Sequence, residues 1–154
     1  MSARIAGAQA MFVPNPEIRR AELAAYRAEM RKAAQKIIAQ WKAAWERDDA
    51  AATAALYADN AFFAPPGGPP QETAKAVLEH LRATLPSASG LTIEMIDFEG
   101  AGDLSYATAK YSYIVTPPDA AAYMEQGMCV FVFTRDGRRL RIRSQVMTTD
   151  HGQP

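Results

Sequence analysis

Cysteine and histidine are scarce in this sequence: one Cys and two His among 154 residues. A lone Cys129 closes no internal disulfide and fits a reducing compartment, so it predicts a cytoplasmic protein. His80 and His151 stand far apart and form no recognisable metal motif, so no metal site is expected. Excess charge is also missing, with 17 Lys+Arg against 17 Asp+Glu. Together with a pI near 6.7, that leaves no electrostatic footprint for nucleic acid. No apolar run approaches the ~20 residues that span a bilayer, so no membrane partner is expected. Arg4 followed by Ile5–Ala10 faintly echoes a signal peptide, but the stretch is short and broken by Gln9. The Gly pair of Pro65-Pro66-Gly67-Gly68-Pro69-Pro70 lacks the Lys-Ser/Thr of a phosphate loop and the spacing of a dinucleotide fingerprint. Repeats and low-complexity linkers are absent as well.

What remains is ordinary globular material, 49% hydrophobic and 22% charged. A chain this long buries roughly two-thirds of its unfolded surface without a staple. Alanine dominates before Pro86, whereas Ile, Val, Phe, Tyr and Thr dominate after Leu91. Helices first and strands second is the α+β order. The reading is an N-terminal arm over 1–14, one domain over 15–150 and a tail over 151–154.

Asn15-Pro16-Glu17 starts a helix with a cap, a first-turn proline and an acid. Tyr26, Met30, Ile37, Trp41, Ala44 and Trp45 then recur at helical spacing, which predicts a helix to about Arg47, continuous or broken once near Ala28. Asp48-Asp49 caps a short helix over Ala51–Tyr57, and Ala61–Phe63 reads as a short strand. After the Pro-Gly loop, Gln71–Leu85 reads as a third helix. Four strands follow, at Leu91–Phe98, Leu104–Thr116, Met128–Arg135 and Arg138–Thr148, the last two joined by an Asp136-Gly137 turn.

Period two divides the residues of these strands between opposite faces. In Leu104–Thr116 the odd face holds Ala107, Ala109, Tyr111, Tyr113 and Val115, and two alanines beside two tyrosines predict open space under a covering helix. Met128–Phe133 is apolar on both faces, so helices cover one and a second subunit is expected to cover the other through a two-fold interface. Arg139, Arg141 and Arg143 alternate on the last strand opposite Leu140, Ile142 and Ser144. With zero net charge and no aromatic ladder beside them, these arginines are expected to salt-bridge or be solvated, with no nucleic acid bound.

The order of elements, together with Trp41-Lys42-Ala43-Ala44-Trp45, Asp48-Asp49, Leu56-Tyr57-Ala58-Asp59-Asn60-Ala61, Pro65-Pro66-Gly67, Asp136-Gly137, Leu140-Arg141-Ile142 and Asp150, resembles the nuclear-transport-factor-2-like superfamily, and within it the SnoaL-like group with its ketosteroid isomerase homologues. The resemblance spans about Ala24 to Asp150. It departs at Leu140, where a Trp is usual, and at Gln71-Glu72-Thr73, where a Gly often precedes the third helix. It implies a cone-shaped (cystatin-like) fold, in which a strongly curved antiparallel sheet wraps a long N-terminal helix and two shorter ones. It also implies an apolar pocket, dimers packed through the convex sheet face, and no cofactor.

Isomerase members use an Asp base, a Tyr donor and a protonated Asp donor, and these roles fall here at Pro65, Trp41 and about Cys129. None is retained, so ordinary ketosteroid isomerisation is not expected. Trp41 keeps only an indole N–H, which donates but relays no proton. Cys129 in an apolar strand should be protonated and inert. The expected pocket is lined by Trp41, Tyr57, Phe63, Tyr111, Tyr113, Cys129 and Phe131, with Ser144 as a polar contact. Asp97, Tyr111 and Tyr113 are the acid–base candidates. A bulge at Ile96 would instead turn Asp97 to water, and His80 reads as a helix-flank residue. Three functions follow: a dimeric domain binding a small apolar ligand, an isomerase, cyclase or lyase of the SnoaL-like type, or a dimerisation module plugged by Met124, Met128 and Met147.

Overall fold

The computed structural model describes residues 15–150. The expected arm, the tail and His151 lie outside the described residues. Helix α1 runs unbroken from Pro16 to Glu46, and the Asn15 side chain caps it by accepting from the Glu17 amide at 2.9 Å. After it come α2 (Ala50–Ala54), β1 (Tyr57–Ala64), β2 (Gln71–Glu72), α3 (Ala74–Thr84) and a 3₁₀ turn over Leu85–Ser87. Four long strands complete the fold: β3 (Ala88–Ala101), β4 (Leu104–Val115), β5 (Tyr123–Asp136) and β6 (Arg139–Thr149). No helix among the described residues is long and apolar enough to cross a membrane.

The six strands form one curled sheet in the order β2-β1-β6-β5-β4-β3. The sheet is mixed, because β1 runs parallel to β6 while every other pair is antiparallel. Two of the three connections in the meander, β3–β4 and β5–β6, turn on a glycine with positive φ, Gly102 and Gly137, which costs a residue without Cβ nothing. The sheet face toward α1 carries the odd positions of β4 and β5, and Ala107, Ala109, Tyr111, Cys129, Phe131 and Phe133 are buried there. From α1, Met30, Ala34, Ile38, Trp41, Ala44 and Trp45 are buried against them. Trp41 meets the Phe131 ring edge-on at 5.8 Å, and Phe131 stacks on Phe133. Burying such a ring is worth about 1.5–3 kcal/mol. Ala107 and Ala109 therefore admit the helix instead of leaving a void.

Several boundaries differ from the sequence expectation. The helix expected through Tyr57 ends at Ala54, because Leu56 already offers its carbonyl to the Ile142 amide at 2.9 Å and Tyr57 begins a strand. Helix α3 starts at Ala74, where the Thr73 hydroxyl accepts from the Ala76 amide. Thr73 holds φ +86°, a conformation that suits glycine better than a β-branched residue. The largest difference is β5, which begins at Tyr123 and not at Met128. Lys110–Val115 of β4 need backbone partners, and Tyr123–Met128 supply them in register.

A buried side-chain chain ties the helix to three strands. The Trp41 indole N–H donates to the Tyr57 hydroxyl at 3.0 Å, and Tyr57 donates to Gln145 Oε1. Gln145 Nε2 then donates to Cys129 Sγ at 3.4 Å. Replacing Tyr57 by Phe strands the Trp41 donor and the Gln145 acceptor in the core. Such a loss costs about 1–3 kcal/mol, so Tyr57→Phe is expected to lower the denaturant midpoint without changing the slope. A midpoint equal to that of the native chain would show that the hydrogen bonds of Tyr57 contribute no net stability.

Candidate functional site

Beyond the packed core, α1, α3 and the sheet diverge and leave a cavity of about 370 Å³. That volume falls in the range of small-molecule sites. Trp41 and Trp45, one helical turn apart, supply one wall. Phe63 and Pro65 come from β1 and the loop after it, His80, Leu81 and Thr84 from α3, and Met147 from β6. At the mouth lie Pro117, Pro118 and Tyr123. Trp45 meets the Tyr113 ring edge-on at 5.2 Å, and Phe63 meets the His80 ring the same way at 5.6 Å.

Glu125 is the acid in this cavity. It sits on the inner face of β5, directly across from Tyr113 of β4. Its Oε1 is buried and accepts no hydrogen bond from the described residues, and an unpaired buried polar atom is costly and calls for a partner. Burial is the main reason that the Tyr113 phenol titrates above its usual range, and the Glu125 charge adds to it. Tyr113 therefore remains a proton donor at neutral pH. Burial also lowers the His80 pKa, which favours the neutral imidazole.

Only part of the expected site is brought together. Trp41, Phe63 and Tyr113 line the cavity. Tyr57, Cys129 and Phe131 are fully buried behind it, and burial pushes the Cys129 thiol up to about 12. Tyr111 stacks on Tyr113 at 5.9 Å, but its hydroxyl donates to the Thr148 carbonyl at 2.9 Å. Ser144 falls elsewhere. The β5–β6 register shifts between Val132 and Phe133, so Ser144 pairs with Val132 on the outer face and Gln145 takes the inward place. The same physics moves Asp97: a bulge between Met95 and Asp97 exposes Ile96, turns Phe98 inward and leaves Asp97 outside, accepting from Tyr106 at 3.3 Å. Of the three methionines expected to plug the space, Met147 lines the cavity. Met124 is exposed, and Met128 pairs with Lys110 and Thr148 on the outer face.

The sequence reading missed Glu125 and placed His80 outside the site. Period two continued backwards from Phe131 and Cys129 reaches Gly127, Glu125 and Tyr123 on the same face. Starting the strand at Met128 hid that series. At the positions where the family resemblance puts base, Tyr donor and acid donor, Pro65 and Trp41 line the cavity wall and Cys129 lies behind it. Among the described residues, no group of His, Cys, Asp and Glu has the arrangement of a metal site.

The depressed His80 pKa fixes the sign of a pH effect. In the unfolded chain the imidazole titrates near 6.5, and in the folded chain it titrates lower. The unfolded state binds more protons in between, so this contribution to stability is complete above pH ~6.5 and is lost as pH falls toward the folded value. Unfolding free energies measured between pH 5 and 8 should therefore rise with pH more steeply in the native chain than in His80→Asn. Parallel curves would mean that the folded environment leaves this imidazole untouched.

The model of the SnoaL-like domain matches residues 38–142, which take in the C-terminal end of α1, strands β1 to β5, the start of β6 and every cavity residue up to Glu125. No curated protein matches the sequence. Among solved structures, a ketosteroid isomerase-like protein from Erwinia carotovora is similar at 12% identity and a TM-score of 0.71, over 80% of this chain and 96% of that one. A protein from Novosphingobium aromaticivorans, provisionally named a scytalone dehydratase, aligns at 11% identity and 0.69, over 79% and 84%. Another from Streptomyces avermitilis, provisionally named a dehydratase of the nuclear-transport-factor-2-like family, aligns at 14% identity and 0.68, over 82% and 99%. At such identities the structural likeness speaks for the fold alone. The match across more than half of the sequence assigns the family: the chain belongs to the SnoaL-like domain family.

Proposed function

We propose that the cavity is the active site of an enzyme that moves protons on a small, largely apolar organic molecule with side-chain acid and base groups, in an isomerase or lyase type of reaction. The buried, unpartnered Glu125 oxygen in an aromatic-walled cavity carries this reading. Glu125 would take a proton from a carbon next to a carbonyl, and the C–H electron pair would pass into an enolate. The protonated Tyr113 phenol would donate a hydrogen bond to the enolate oxygen. The Glu125 carboxylic acid formed in that step would return the proton at a second carbon, or give it to a departing hydroxyl with neutral His80 as a relay. The relay accepts at one ring nitrogen and donates from the other, and the carboxylate is restored. The similarity to proteins named as isomerase-like and as dehydratases agrees with that chemistry. The lack of the expected Asp base at Pro65 favours a second reading, a domain that binds such a ligand without turnover.

One preparation separates the two. Both tryptophans of the chain line the cavity, so an occupant should quench their fluorescence. With 2-tetralone, a bicyclic ketone with acidic carbon-bound protons, saturable quenching is expected, along with deuterium exchange at the α-carbon in heavy water. Glu125→Gln should slow that exchange about 100-fold or more and keep the quenching. Quenching without exchange would leave a binding domain, and the absence of both would defeat the small-molecule readings.

We also propose a homodimer through the convex sheet face. Ile114, Met124, Val130 and Val146 are exposed there on neighbouring strands. Such a row of apolar side chains is unusual on a free monomer. Light scattering after size exclusion should give twice the mass of one chain, and Val130→Glu with Val146→Glu should give a folded monomer. A native chain that runs as a monomer at micromolar concentration would defeat the proposal.

A further inference from the structure

A second cleft lies between α1 and the β5–β6 hairpin and shares no lining residue with the cavity. It encloses about 570 Å³ and is lined by Lys36, Arg138, Arg139 and Arg141, together with the Gln40 amide. Its base is apolar, formed in part by Ile37, Leu56 and Leu140. No carboxylate among the described residues lines it. Arg141 Nε lies 3.8 Å from Asp136 Oδ2, and the other three cations have no salt-bridge partner among the described residues. In a chain with zero net charge, four cations around one concave surface are a local concentration that solvation of a surface does not require.

The arrangement has structural causes. Arg139 and Arg141 share a face of β6 through period two, while the register shift farther along the strand separates Arg143 from them, and Arg143 does not line the cleft. The Arg141 guanidinium is held in place by donating to the Ala55 carbonyl at 3.2 Å. The two-residue turn at Gly137 brings Arg138 alongside. Lys36 lines the same cleft from α1. Guanidinium groups match phosphate oxygens with paired donors, and an ammonium adds a point charge.

We propose that this cleft binds the phosphate group of a small phosphorylated molecule, whose apolar part rests on Ile37, Leu56 and Leu140. The proposal is independent of the reaction assigned to the cavity. Inorganic pyrophosphate is the probe, followed by amide resonances of the labelled full chain in 50 mM NaCl. Saturable shifts confined to the β5–β6 turn, β6 and the α1 residues around Lys36 are expected. The Arg138→Gln/Arg139→Gln variant should weaken binding at least tenfold, with one charged hydrogen bond worth about that factor. Both positions are exposed at the hairpin, so unchanged circular dichroism and tryptophan fluorescence should verify the variant's fold. Raising NaCl to 300 mM should also weaken binding. Shifts that do not saturate by 50 mM pyrophosphate, or that persist equally in the variant, would overturn the proposal. Binding to duplex DNA or to phosphatidylglycerol vesicles without binding to pyrophosphate would overturn it too, because the cleft would then be part of a polyanion or membrane surface.

Discussion

The fold depends on satisfying one buried indole N–H. Trp41 is almost wholly enclosed, and a donor that deep must find an acceptor. It finds Tyr57 at the start of β1, which finds Gln145 on β6, which reaches Cys129 on β5. That chain of side chains fixes the turn of α1 against the sheet, and it holds β1 beside β6 in parallel. It also explains the strand that ends α2 early, since Tyr57 cannot meet both partners from a helix.

The site follows from where this packing stops. Strand β5 passes from Phe133, Phe131 and Cys129 in the core to Glu125 and Tyr123 at the cavity. Between them lies Gly127, where a Cβ would stand 1.8 Å from the Thr148 carbonyl oxygen. The end of β6 presses onto β5 at that point, and Tyr111 donates to the same carbonyl. No larger residue permits this approach. One strand thereby serves the apolar core with one half and presents a carboxylate with the other.

Charge is distributed by the same geometry. The carboxylate and the neutral imidazole line one cavity, whereas Lys36, Arg138, Arg139 and Arg141 line a separate cleft at the β5–β6 hairpin. A balanced composition hides this separation, because net charge says nothing of which residues the topology gathers.

The sequence by itself determined the α+β order, the start and buried stripe of the N-terminal helix but not its continuity past Ala28, the inward parity of β4, and the Asp136-Gly137 turn. Local propensity and period set all of these. The family was also legible, from the order of elements, the turn residues and the tryptophan pair. Tertiary structure alone decided three matters. Backbone partners demanded by β4 drew Tyr123–Gly127 into a strand and so turned Glu125 inward, against its own weak strand propensity. A bulge and a register shift, each a displacement of one residue, moved Asp97 and Ser144 to the opposite face. Helix packing closed the space expected over Ala107 and Ala109, and opened the cavity farther along, where α1, α3 and the sheet part. In a sheet with period two, a slip of one residue reverses every side chain beyond it, and only the pairing of distant strands determines where that slip occurs.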